Sequence, residues 1–124
     1  MSVNNAVRGV LDTMRSTNEV REEVLGTEIN LAGVSFEGRQ DYISGVDSRT
    51  NVRLQREKDN PHDSNAVSVV MNKDGSEIKL GYIPKKLNSS IASLLDSNTD
   101  LTVKVRRVVG GDFSNKGVIV VIKK

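Results

Sequence analysis

At 124 residues and a net charge of +2, with 36% hydrophobic and 27% charged side chains, the chain suits one folded domain with a modest core and is too short for two. No apolar run approaches the roughly 18–20 residues that span a bilayer, and the opening MSVNNAVRGVLDTM carries an acid and no continuous apolar core, unlike a secretory signal. The absence of cysteine excludes disulfides, Cys-zinc sites and thiol nucleophiles, and a cytoplasmic location is the expectation.

In chain order, Val3, Val7, Val10, Leu11 and Met14 share one helical face. Ser16 and Glu19 have capping-box spacing for a second short helix through Val20, Val24 and Leu25, closed by Gly26. Residues 1–26 thus read as an amphipathic helical extension. Its apolar stripe packs on its own domain, on a second copy or on a protein partner.

Residues 27–124 read as one domain. A strand is expected from Thr27 to Phe36, with Gly33 marking a bulge or a close backbone approach. Asp41–Val46 suits a helical turn that buries Tyr42, Ile43 and Val46. Val52–Arg56 alternates at period two, and Ala66–Met71 is dense in β-branched residues. Asp74-Gly75 is a hairpin signal leading into the alternating stretch Glu77–Ile83. Pro84 opens a helix whose Leu87, Ile91, Leu94 and Leu95 face one side. Leu101–Arg106 alternates again, Gly110-Gly111 turns the chain, and Gly117–Ile122 closes the sheet. Six strands with one inserted helix predict a mainly β (α+β) fold, a small and partly open β-barrel.

The loop Asp59-Asn60-Pro61-His62-Asp63-Ser64-Asn65 concentrates more chemistry than a turn requires. It holds two carboxylates, three amide or hydroxyl side chains and the sole histidine. Charge is also uneven. Residues 1–48 hold four basic and eight acidic side chains, whereas residues 49–124 hold fourteen basic and eight acidic. The second part is therefore the better surface for a polyanion.

Five stretches can be compared with a known pattern: GVSFEGRQ from residue 33, LQRE from 54, DNPHDSNAVSV from 59, GYIPKKL from 81 and VVGG from 108. In this order they resemble the HIRAN domain, over roughly residues 27–123. That family occurs at the N-termini of Swi/Snf-type DNA translocases that remodel forks, and as small free-standing bacterial and phage proteins. The resemblance implies an OB-like six-stranded β-barrel that binds DNA. By analogy with the best understood eukaryotic members, it implies capture of single-stranded 3′-hydroxyl ends or fork-like structures in repair or replication restart.

Asp63 matches the family position that reads the strand end. An ionised carboxylate only accepts hydrogen bonds, so it accommodates a free 3′-hydroxyl and repels the charged phosphate of an internal nucleotide. The bland alternative is a turn cap on the backbone of Asn65 or Ala66. His62 stands where the family often has Tyr, and either ring can stack on a base. Phe36 matches an aromatic position near the family's pocket, with a core role as the alternative. Tyr82 offers a hydroxyl or a ring face, or packs in the barrel. Arg39, Arg56, Lys58, Lys85 and Lys86 are candidate phosphate contacts, and Asn60 builds the turn. Arg106 and Arg107, adjacent on a strand, are expected to point to opposite faces.

Enzymatic chemistry is not expected. A catalytic zinc site needs about three protein ligands rich in His or Cys, and Glu57, Asp59 and Asp63 crowd one segment without an obvious partner for magnesium chemistry. No glycine-rich phosphate loop or Gly-x-Ser-x-Gly elbow occurs, and no metal or cofactor is expected. Two functional readings remain: a DNA-binding module, or an assembly module that pairs copies or recruits a protein through residues 3–25.

Overall fold

The computed structural model describes residues 23–111 and 114–124. The helices expected within residues 1–26, and the assembly role drawn from residues 3–25, lie outside the described residues up to residue 22. Of that segment only its end is seen: Val24 is buried, Leu25 packs against the core, and the Gly26 N–H donates to Ile122 O at 2.8 Å.

Among the described residues there are six strands and two helices: β1 (Glu28–Asn30), α1 (Arg39–Ile43), β2 (Val52–Glu57), β3 (Ala66–Lys73), β4 (Ser76–Tyr82), α2 (Lys85–Asp96), β5 (Thr102–Val109) and β6 (Gly117–Lys123). The strands pair into two antiparallel three-stranded sheets, in the orders β1-β6-β5 and β2-β3-β4. The two sheets meet through an isolated bridge between Ala32 and Tyr82. Each of these residues donates its N–H to the other's carbonyl at 2.8 Å.

The central strands explain their own composition. Val67, Val69 and Met71 of β3 and Val118, Val120 and Ile122 of β6 enter the core, and the residues between them are also buried. A strand covered on both faces reads as a continuous apolar run. Asp74 and Gly75 both take positive φ between the paired Lys73 and Ser76, as a two-residue hairpin demands. In α2, Ile91 and Ala92 enter the core and Leu87 and Leu95 pack against it. Asn98 ends this helix in the left-handed conformation while the Thr99 N–H donates to Leu94 O at 3.0 Å.

Three local expectations change. The first strand stops at Asn30, because Gly33, Glu37 and Gly38 take positive φ and roll the chain into a loop that carries Phe36. The first helix begins at Arg39 rather than Asp41, so Arg39 and Ile43 form its buried face, Val46 is buried just beyond its end, and Tyr42 turns outward toward Lys73. A bulge between Val105 and Arg107 breaks the alternation of β5. Arg106 and Arg107 consequently both reach Glu28, at 3.9 and 2.7 Å, instead of pointing to opposite faces.

Candidate functional site

The β2–β3 loop is shaped by its own side chains. Asn60 Oδ1 accepts from the backbone N–H groups of His62 (2.8 Å) and Asp63 (3.1 Å), and Asn60 Nδ2 donates to Glu57 Oε1 at 3.1 Å. Asp63 Oδ1 then accepts from the Asn65 N–H at 2.9 Å. These are Asx turns, in which a side chain takes the place of a backbone partner. Arg56 secures the loop from behind. Its Nη1 donates to Ser64 O and Ala66 O, and its Nε and Nη2 grip the Asp96 carboxylate at 3.0 and 3.2 Å.

Opposite this loop stands the turn between β1 and α1. Gln40 fixes α1 by donating to Val34 O and Lys116 O and accepting from the Lys116 N–H. Arg39 lies beneath the turn, 5% exposed, and its Nη1 donates to Gly33 O at 2.6 Å. Between the two loops is a cleft of about 360 Å³, within the size range of small-ligand sites (roughly 300–1,000 Å³). Its walls include Phe36, His62, Asp63, Tyr82, Lys85 and Asn88.

Seven of the sequence-predicted residues therefore converge here: Phe36, Arg39, Asn60, His62, Asp63, Tyr82 and Lys85. Arg56, Lys58 and Lys86 do not line the cleft. Arg56 is committed to Asp96 and the loop carbonyls, Lys58 Nζ lies 3.7 Å from the same Asp96, and Lys86 faces solvent beside Lys85. Phe36 is 64% exposed and so is no core residue. An apolar ring held in water at the mouth of a cleft is a ready stacking platform.

Asp63 has a double role. One oxygen completes the turn, while Oδ2 accepts from Asn88 Nδ2 at 2.7 Å. Each carboxylate oxygen has two acceptor sites, so both retain capacity for a ligand donor. Hydrogen bonds from the Asn65 N–H and the Asn88 amide hold its carboxyl below the ordinary range against partial desolvation, helped by the charges of Lys85 and Arg56. At neutral pH the group is an anion. Asn88, 4% exposed on α2, was not anticipated from sequence. Its only signal there is a polar residue on the apolar side of a helix.

Tyr82 presents its ring rather than its hydroxyl. The hydroxyl accepts from Lys79 Nζ at 2.7 Å and donates to Glu57 Oε1 at 3.0 Å, while Lys79 Nζ also pairs with Glu57 Oε2 at 2.9 Å. The ring lies 4.8 Å from Lys79 Nζ and 5.5 Å from the Arg39 guanidinium. Burial alone would raise the Glu57 carboxyl, but hydrogen bonds from Lys79, Ser68, Asn60 and Tyr82 overcome it and hold the group at about 2.

Because the folded value lies below the ordinary 4.5, this stabilisation is fully present above about pH 4.5 and is lost as pH falls toward 2. Its size is on the order of 2–3 kcal/mol after solvent screening. Urea unfolding at about pH 5 and about pH 2.5 should show this acid-induced loss, reduced by a comparable amount in Glu57→Gln. An equal loss in the variant would remove the assignment.

Among the described residues, no group of three His, Asp or Glu side chains is placed to hold a metal ion, and no helix is long and apolar enough to cross a membrane.

Known proteins are similar to this chain in sequence and fold. The rabbit (Oryctolagus cuniculus) helicase-like transcription factor is 34% identical over 87 residues, which is 69% of this chain and 8% of that protein. The chain thus spans a small fraction of the curated relative it matches. The crystal structure of a Lactobacillus plantarum protein superposes with a TM-score of 0.54 at 23% identity, covering 78% of this chain and 92% of that one. The HIRAN domain of human HLTF superposes with a TM-score of 0.51 at 22% identity, covering 79% of this chain and 75% of that one. Both structures share the fold. The HIRAN domain family model matches residues 25–113, which include every residue named in the cleft, and the chain belongs to the HIRAN domain family.

Proposed function

We propose that this chain is a DNA-binding module, not an enzyme, and that the cleft receives the 3′-hydroxyl end of a single strand. Family membership implies nucleic-acid binding, and the cleft chemistry supports the finer reading. The observation that carries it is the Asp63 carboxylate, held ionised on the wall of a cleft that also presents Phe36, His62 and the Tyr82 ring. A terminal hydroxyl donates to this acceptor. An esterified 3′-oxygen cannot, and it brings a phosphate into repulsion with the carboxylate. Phe36 and His62 supply faces for bases, at about 1–3 kcal/mol per stacked base, and Lys85 supplies charge for the backbone.

The test is fluorescence anisotropy with short 5′-labelled single strands ending in a 3′-hydroxyl or a 3′-phosphate, at two salt concentrations. The hydroxyl-ended strand should bind at least about ten-fold more tightly, consistent with one unpaired, like-charged contact, and Asp63→Ala should erase the difference. Equal, salt-sensitive binding of both strands would leave a general DNA surface and reduce Asp63 to turn chemistry. No binding at low salt would remove the DNA reading altogether.

A further inference from the structure

Glu37 lies on the rim of the cleft and was not among the binding residues expected from sequence. It takes φ +56°, a conformation that non-glycine residues rarely adopt. Between Phe36 and Gly38 this backbone brings its carboxylate back over Arg39, with Glu37 Oε1 at 3.4 Å from Arg39 Nη2.

The pair is lopsided. The Arg39 side chain is 6% exposed and the Glu37 side chain 80%. Arg39 spends Nη1 on Gly33 O, so Glu37 supplies its ion pair among the described residues. A buried guanidinium requires a counter-charge, because an unpaired buried ion is costly. A carboxylate that is mostly in water gives only a weak one. Arg39 is thus a cation lining the cleft with a replaceable anion on its open side, and guanidinium–phosphate pairing is the stronger and geometrically better-matched alternative.

We propose that Glu37 is a built-in competitor for a phosphate seat. In the free protein its carboxylate holds Arg39 Nη2. When a strand enters, one of its backbone phosphates displaces that carboxylate, which swings into solvent. Glu37 thereby lowers affinity and also lowers salt dependence, because the arriving phosphate replaces an anion already present. This proposal rests on the DNA reading above and names a specificity-determining residue of the same cleft.

The test titrates the 3′-hydroxyl strand with wild type, Glu37→Gln and Asp41→Asn across roughly 50–200 mM salt, the range over which phosphate contacts are visible. Asp41 is an exposed acid of α1 that does not line the cleft, so it controls for net charge. Glu37→Gln should bind about five-fold more tightly at low salt, as loss of one exposed ion pair allows. Its plot of log affinity against log salt should be steeper by up to about 0.7, one further single-strand phosphate. Unchanged or weaker binding by Glu37→Gln, or an equal gain in Asp41→Asn, overturns the proposal while leaving the DNA reading intact. Failure of wild type to bind at low salt overturns both.

Discussion

Gly81→Ala should destabilise the domain by about 2–4 kcal/mol, lowering Tm by roughly 10–20 °C. The position lies in β4 beside the bridge that joins the two sheets. A Cβ there would sit 2.8 Å from Ala32 O, 3.1 Å from Leu31 Cβ and 3.2 Å from Val34 Cγ1. The nearest of these is backbone, which cannot step aside as a flexible side chain can. The segment Leu31–Val34 must move away, and the paired hydrogen bonds between Ala32 and Tyr82 weaken with it. The same displacement widens the cleft, since Ala32, Gly33 and Tyr82 line one wall, so DNA affinity should fall as stability does. Gly45→Ala is the matched control. Its new Cβ would meet only Tyr42 O at an ordinary 3.7 Å, and its Tm should stay within about 2–3 °C of wild type. Equal Tm values for the two variants would show that the sheets do not depend on this close approach.

Asn88→Ala should cost about 1–3 kcal/mol of stability and should also blunt the discrimination between 3′-hydroxyl and 3′-phosphate ends. Asn88 is buried on α2 and donates to Asp63 Oδ2 at 2.7 Å. Without it the carboxylate is held only by the Asn65 N–H and can rotate out of the orientation its turn and α2 now impose. The strand-end preference should drop several-fold, in keeping with the effect of supporting hydrogen bonds on bound ligands. Asn88→Asp separates positioning from mere packing. It keeps the shape but places a second carboxylate against Asp63, and two such groups ionise together only at a cost. One of them then takes a proton at raised pH, so this variant should recover stability as pH falls from about 7 toward about 5. Wild type has no such recovery from this site. Retained end preference in both variants would show that Asn88 does not position Asp63.

The local chemistry of the site was legible because it is local. Asn60, His62 and Asp63 lie within four residues, and the Asx turns that shape them need only neighbouring backbone. The strands were legible for a similar reason. β3 and β6 are covered on both faces and therefore written as nearly continuous apolar runs, interrupted within the buried part of β3 only by Ser68, and Asp74-Gly75 announces its own hairpin. Arg56 shows the limit. Its type and charge suit a phosphate contact, but Asp96, forty residues further on, occupies its guanidinium. Arg106 and Arg107 show another, since a bulge in β5, visible only in its register against β6, brings both to Glu28.

By itself, then, the sequence determined the element order, the Asp63 loop and the family pattern, because periodicity and turn chemistry act between residues a few positions apart. Tertiary structure alone decided that the six described strands pair as two three-stranded sheets joined by a bridge. It also brought Asn88 to Asp63, put Tyr82's hydroxyl into the Glu57–Lys79 network, and set Arg39 beneath Glu37 rather than in open solvent. Each of these depends on contacts across the fold or on the path of a loop, and no spacing along the chain encodes where a left-handed turn will aim a carboxylate.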